Sequence, residues 1–149
     1  MKVSSKCEYA LRCLMDLAVH GEGVSLHIED IARRQDIPLK FLQTIILSLK
    51  KAKMVESKKG PGGGYFLVKR PDQIHLGDLI ETLDGALLPT LRTRGSGKQK
   101  QAIWQDAADG IWNRFGAAVR DTAKGFTLEQ AVTEYRRMNQ GEGAQMFHI

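Results

Sequence analysis

Apolar side chains in the first third of the chain return every three or four positions. Tyr9, Cys13 and Leu17 form one row and Ala10, Leu14 and Ala18 the row beside it, which is one face of an α-helix. Ser5-x-x-Glu8 ahead of the stripe reads as a capping box, and Gly21 and Gly23 read as its stop. A second, shorter helix is predicted from Ile28 to Arg34, with Ile28, Ile31 and Ala32 inward, and Gln35-Asp36-Ile37-Pro38 breaks it. A third is predicted from Leu39 to Lys51 on Leu42, Ile46 and Leu49. The period then changes. Met54–Ser57 and Tyr65–Val68 read as short strands around Lys58-Lys59-Gly60-Pro61-Gly62-Gly63-Gly64, a glycine-rich hairpin tip.

Arg70-Pro71-Asp72 marks a boundary, and Leu76, Leu79, Ile80 and Leu83 predict a helix from Leu76 to Leu83. Asp84 to Gln101 reads as loop, with Pro89, Gly95 and Gly97 among Arg92, Arg94, Lys98 and Lys100. From Ala102 to Val119 a helix is predicted again. Its stripe is Ile103, Ala107, Ile111, Phe115 and Val119, flanked by Trp104, Ala108 and Trp112. A broad apolar face remote from the first helices is what a dimer seam requires, and the tryptophans are read as core or interface anchors. Thr127-Leu128-Glu129-Gln130 opens a last helix to Met138, and the glycine-rich tail from Asn139 is expected to fray. The expected layout is a unit at 1–84, a loop at 85–101, two helices at 102–138 and a flexible tail at 139–149. The fold class is mainly α with a small β-hairpin.

Charge sharpens this picture. Residues 1–70 carry 13 Lys/Arg against 7 Asp/Glu, net +6, whereas residues 71–149 are net −1. The positive excess points the N-terminal half at a polyanion. Two short helices joined by a tight turn frame a helix-turn-helix. The outward face of the second carries Lys40, Gln43, Thr44, Ser48 and Lys51, side chains able to reach base edges and phosphates. The same face suits a small bundle with a solvated surface. The basic hairpin that follows, with Lys58 and Lys59 at its base, tips the reading toward a winged helix-turn-helix on double-stranded DNA.

These residues resemble the Rrf2 family of winged-helix regulators. The matching features are Ser5-Lys6-x-x-Tyr9-Ala10, Leu14 with Asp16, Asp30-Ile31, Ile37 through Leu42, Leu49-x-Lys51 and above all Gly60-Pro61-Gly62-Gly63-Gly64-Tyr65. The likeness covers the first 85 residues and resumes at Ala102-Ile103-Trp104. The resemblance implies that Pro38, Lys40, Phe41 and Gln43 occupy recognition-helix positions. It also implies that Lys59, with Gly60, Gly62 and Gly63, belongs to the DNA-contacting wing, and that the long later helix makes a homodimer. Cluster-bearing members place three cysteines in the loop before that helix, but Leu88 to Gln101 holds none here. Glu8 sits where some members supply a carboxylate, and one carboxylate cannot hold a cluster. No cofactor and no metal are therefore expected.

Cys7 and Cys13 project about 240° apart on one helix and cannot chelate a metal together within one chain. Cys13 reads as core. Cys7, in the first turn beside Lys6, is the candidate redox thiol, because the helix dipole would lower its pKa. His20, His27, His75 and His148 show no ligand spacing, and no phosphate loop, nucleophile elbow or zinc-protease motif is present. An enzyme is not expected. No run reaches the roughly 18 apolar residues a bilayer needs, and the charged N-terminus lacks a signal h-region, so a cytoplasmic protein without membrane contact is expected. The expectation is a homodimeric, DNA-binding transcriptional repressor that answers a small-molecule or protein effector. The alternative is a winged helix serving protein or RNA contacts without its own operator.

Overall fold

The computed structural model describes residues 3–88 and 99–146, with side chains from 3 to 88 and from 101 to 141. Helix α1 (Ser5–His20) is capped by Ser4, whose Oγ accepts the Cys7 N–H at 3.1 Å. The box expected between Ser5 and Glu8 does not form, because Ser5 is already helical while Ser4 keeps the extended backbone a cap needs. Glu8 stays exposed, 3.7 Å from Arg12 one turn on. Gly21 ends the helix with its N–H on the Leu17 carbonyl at 2.9 Å.

Helix α2 (Ile28–Gln35) takes in Gln35 and stops at Asp36, which adopts a left-handed conformation (φ 51°). Aspartate tolerates that region, and the Ile37 N–H folds back onto the Ala32 carbonyl at 2.9 Å. The turn into α3 (Leu39–Lys51) is thus Asp36-Ile37-Pro38. Strands β1 (Val55–Lys58) and β2 (Gly64–Leu67) pair antiparallel, Val55 opposite Leu67 and Lys58 opposite Gly64. Each lies one residue from its expected bounds, since Lys58 pairs within the ladder rather than in the tip. Leu26 and Tyr65 exchange backbone bonds of 2.9 and 2.8 Å, which fasten the hairpin to the segment before α2.

Helix α4 (Leu76–Asp84) agrees with expectation, but α5 (Gln99–Lys124) and α6 (Leu128–Met146) are longer than their apolar stripes. The N-terminal extension of α5 places Gln99 to Gln101 in the helix rather than the loop, and residues 89–98 of that loop lie outside the described residues. Beyond Met138, where a frayed tail was expected, α6 runs on through Gly141 and Gly143. Each glycine costs a helix about 1 kcal/mol, and Glu142, Ala144 and Gln145 among them favour it. Among the described residues no helix is long and apolar enough to cross a membrane.

One core joins the two ends of the chain. Leu14, Leu17, Ile31, Leu42, Ile45, Ile46, Leu49, Val55 and Leu79 are at most 2% exposed, and Leu128 and Val132 of α6 pack into the same cluster. The 1–84 unit of the sequence layout thus lacks two residues of its own core. The Leu76 N–H bonds the Phe126 carbonyl and the Leu128 N–H bonds the Ile74 carbonyl, both at 2.8 Å, clasping the α5–α6 turn to the start of α4. Thr127 and Gln130 cap α6 reciprocally: the Gln130 N–H reaches Thr127 Oγ1 at 3.4 Å and the Thr127 N–H reaches Gln130 Oε1 at 3.2 Å.

Candidate nucleic-acid interface

Helix α3 divides sharply between its two faces. Leu42, Ile45, Ile46 and Leu49 are at most 1% exposed, whereas Lys40, Gln43, Thr44, Leu47 and Lys51 face out. Pro38 is exposed at the N-cap, where its missing N–H costs no helical bond. Of the expected contact residues on this helix, Phe41 differs. Its ring meets Tyr9 edge to face at 5.6 Å, so it is half-buried packing between α1 and α3. Ser48, read as outward-facing, is half-buried too, with its hydroxyl on the Thr44 carbonyl at 3.5 Å.

What aims α3 is a polar cluster behind it. Asp16 of α1 is a carboxylate with no exposed side-chain surface, gripped by Arg34 of α2: Nη2 to Oδ1 at 2.6 Å, Nε to Oδ2 at 3.0 Å. Gln35 Nε2 adds a bond to Oδ2 at 2.8 Å, and Arg12 donates to the Gln35 carbonyl. The hydrogen bonds that Arg34 donates to the Asp16 carboxylate raise the pKa of Arg34 above its ordinary value. The end of α2, and with it the turn into α3, is therefore bolted to α1. Reading the sequence for contact residues passes over this pair. The signal was an aspartate three residues after Cys13, inside the apolar stripe.

The hairpin supplies the second element. Lys58 and Lys59 are exposed, and with Lys40 and Lys51 they form no ion pair among the described residues. Gly60 (φ 87°) and Gly62 (φ 71°) take left-handed conformations that permit the turn. Gly63, by contrast, is buried and closes the tip, its N–H on the Gly60 carbonyl at 2.9 Å. Lys50 ties the wing to the helix: Nζ donates to Ser57 Oγ at 2.8 Å and lies 3.4 Å from Glu56. The Ser57 N–H on the Glu56 carboxylate, with Lys50 beside it, lowers the pKa of Glu56. The result is a cationic wing held against an exposed polar helix face, and the charge asymmetry of the sequence becomes a surface.

Away from that surface, the α5 stripe stays open in the single chain. Ile103 is 66% exposed, Trp104 80% and Ile111 58%, with Trp112, Phe115 and Ala107 also exposed and Val119 half-buried. At the base of α5, Arg120 Nη1 donates to the Leu88 carbonyl at 2.9 Å.

Cys7 does not meet the expectation of an activated thiol. It is 3% exposed, and its Sγ–H donates to Asp84 Oδ2 at 3.1 Å while the Ser4 hydroxyl donates to Oδ1 at 2.8 Å. Burial, together with the Asp84 carboxylate, pushes the thiol up to about 11, opposite to the pull of the helix dipole and Lys6. Burial likewise pushes Cys13 up to about 12.

The chain is similar to known proteins in both sequence and fold. The Rrf2 profile, described as an iron-dependent transcriptional regulator, matches residues 3–134. The HTH-type transcriptional regulator IscR of Aliivibrio salmonicida (strain LFI1238) is 34% identical over 117 residues, covering 74% of this chain and 70% of the relative. IscR of Escherichia coli (strain K12 / DH10B) is 34% identical over 116 residues, with 73% and 71% covered. The structure of CymR (YrzC), the global cysteine regulator of B. subtilis, matches with TM-score 0.69 at 29% identity over 90% of this chain and 98% of that one. T. potens IscR matches with TM-score 0.63 at 26% identity over 91% and 88%. These relatives are transcriptional regulators, not enzymes.

The iron of the family description finds no matching donors here. The chain has two cysteines, one a core thiol and one bound to Asp84, both with strongly raised pKa values. Residues 89–98 read Pro-Thr-Leu-Arg-Thr-Arg-Gly-Ser-Gly-Lys, without a Cys, His, Asp or Glu. Among the described residues, no three such side chains converge to hold a metal. Iron–sulfur clusters require thiolates, and the residues present do not fit one. In profile, sequence and fold alike, the chain belongs to the Rrf2 family of DNA-binding transcriptional regulators.

Proposed function

We propose that this chain binds a near-palindromic operator as a homodimer, represses transcription there, and responds to its signal without an iron–sulfur cluster. The observation that carries the reading is the pairing of an outward polar helix face with a cationic wing, alongside a separate helix whose apolar stripe is largely exposed among the described residues. Lys40, Gln43, Thr44 and Lys51 enter the major groove, and Pro38 borders the phosphates at the helix start. Lys58 and Lys59, shaped by Gly60, Gly62 and Gly63, follow the backbone or the minor groove. Phe41 contributes by fixing α3 against α1. The α5 faces of two chains, through Ile103, Trp104, Ala107, Ile111, Phe115 and Val119, build the two-fold axis. The protein acts in the cytoplasm, where promoter DNA lies.

For the signal we favour an apolar effector. A cavity of about 390 Å³ opens where α1, α4 and α6 meet, lined by Leu11, Leu14, Leu76, Leu79, Phe126 and Leu128. It sits beside the clasp between α4 and the α5–α6 turn, so an occupant bears on the junction of the DNA-facing body and α5.

Selection of duplexes from a random-sequence pool, followed by footprinting, tests the reading. The expected result is an enriched sequence with two half-sites about one helical turn apart, protected by two chains. A pool that never enriches, with binding that tracks salt alone, would return the chain to the alternative of a protein- or RNA-contacting winged helix. Repression is checked by a reporter carrying the selected site, whose output should rise when the chain is removed.

A further inference from the structure

The reading face of α3 holds a side chain that neither charge nor hydrogen bonding explains. Leu47 is 61% exposed, although the inner face of the helix is already filled by Leu42, Ile45, Ile46 and Leu49. At 3.6 residues per turn it lies about 40° from Gln43 and about 60° from Thr44 on opposite sides, with Lys40 and Lys51 within about 40°. It is thus at the centre of the outward arc rather than on a flank. Thr44 adds to it. Its hydroxyl donates back to the Lys40 carbonyl at 3.3 Å, so the oxygen is engaged with the backbone and the methyl is left for whatever the face meets. The helix therefore offers an apolar strip, Leu47 with the Thr44 methyl, bordered by the Gln43 amide and two cations.

Within the DNA reading on which this inference rests, one major-groove feature is apolar: the 5-methyl group of thymine. Amides and cations do not distinguish it. We infer that Leu47, assisted by the Thr44 methyl, is a specificity-determining residue that reads thymine 5-methyl groups in the operator. Gln43 beside it reads a polar base edge, so the two neighbours distinguish bases by different chemistry. An exposed leucine seeks a dry surface, and the methyl supplies one without a hydrogen-bond partner left unmade.

The experiment uses the full chain and a duplex that it has selected from a random pool. Each thymine is replaced in turn by uracil, which removes the methyl and leaves base pairing and the minor groove unchanged. At one or two positions the wild-type chain should lose about four-fold in affinity, the equivalent of about 0.8 kcal/mol for a buried methylene-sized group. Leu47→Ala should bind the thymine and uracil forms of that duplex alike, with its helical content checked by circular dichroism. Equal wild-type affinity for both forms at every position, on a duplex still bound sequence-selectively, would overturn the role of Leu47 and leave the DNA reading standing. Thymine dependence that persists in Leu47→Ala would also overturn it. Failure to select any duplex would remove the DNA reading and this inference together.

Discussion

The winged-helix body and the α5 arm contain apolar side chains in comparable abundance and treat them in opposite ways. In the body, Ala10, Cys13, Leu14, Leu17, Ile31, Leu42, Ile45, Ile46 and Leu49 are at most 2% exposed, and the C-terminal helix returns to complete their core. Along α5, Ile103, Trp104, Ile111, Trp112 and Phe115 are all more than half exposed. A buried core is a finished interaction, and an exposed tryptophan stripe is an unfinished one. The body completes its core within one chain with the help of α6, and in the dimer proposed above a second chain would cover the exposed face of the arm.

The contrast breaks hardest from inside the body. Arg34→Ala leaves the buried Asp16 carboxylate with Gln35 as its remaining partner; because Arg34 itself is partly solvent-exposed, the loss is about 1–3 kcal/mol, that of an under-satisfied buried acceptor, rather than that of a fully buried pair. Urea denaturation should show that loss, and DNA binding should fail with it as α3 loses its bolt to α1. The arm should respond differently. Trp104→Glu puts a charge into the apolar seam and should weaken the dimer by about 2 kcal/mol or more, roughly thirty-fold. Sedimentation should then give monomers at micromolar concentration while circular dichroism remains that of the wild type. If Trp104→Glu instead unfolds the body, the division between the two regions is wrong.

A smaller effect sharpens the comparison at the joint where Ser4, Cys7 and Asp84 meet. The Cys7 thiol is raised from 9.0 to about 11 in the fold, so the folded state favours the protonated form. That contribution is complete below about pH 9 and is lost as pH rises through about 11, at most about 3 kcal/mol. Wild type and Cys7→Ala should therefore converge in relative stability across this window. Asp84→Ala should lower the thiol pKa and speed alkylation of Cys7 at neutral pH. A native Cys7 that alkylates as fast as a free thiol would restore the redox role that its environment opposes.

The body was largely legible in the sequence because its pattern is local. The period of Tyr9, Cys13 and Leu17, the break at Gln35-Asp36-Ile37-Pro38 (one residue too long, since Gln35 is helical) and the glycines of Gly60-Pro61-Gly62-Gly63-Gly64 each report on a few neighbouring residues. The cap was misplaced by one residue because Ser4 and Ser5 are both good caps, and backbone geometry chooses between them. Contacts between distant segments were not legible. Asp84 meets Cys7 across 77 residues and Leu128 enters the core of α1, and neither leaves a periodic trace. Ser48 reads as facing out because it neighbours the exposed arc, and the resemblance sets Phe41 among the recognition-helix positions, but both are half-buried because the arc is narrower than either implies. Leu47 escapes a search for contact residues for another reason: it lies outside the Leu42, Ile46 and Leu49 row, and an apolar side chain carries no charge or hydrogen-bonding group to nominate it.

A reading helix and an anchoring wing divide the labour in the proposed DNA complex, and salt titration of two variants on one selected duplex should separate them. Lys59→Ala should weaken binding to every sequence and lower the slope of log affinity against log salt by about one unit, because it removes one cation from the phosphates. Gln43→Ala should keep that slope and relax preference at a single base pair, worth about 1–3 kcal/mol against the wrong base. Equal loss of specific and non-specific affinity in both variants, or no change in either, would contradict the account.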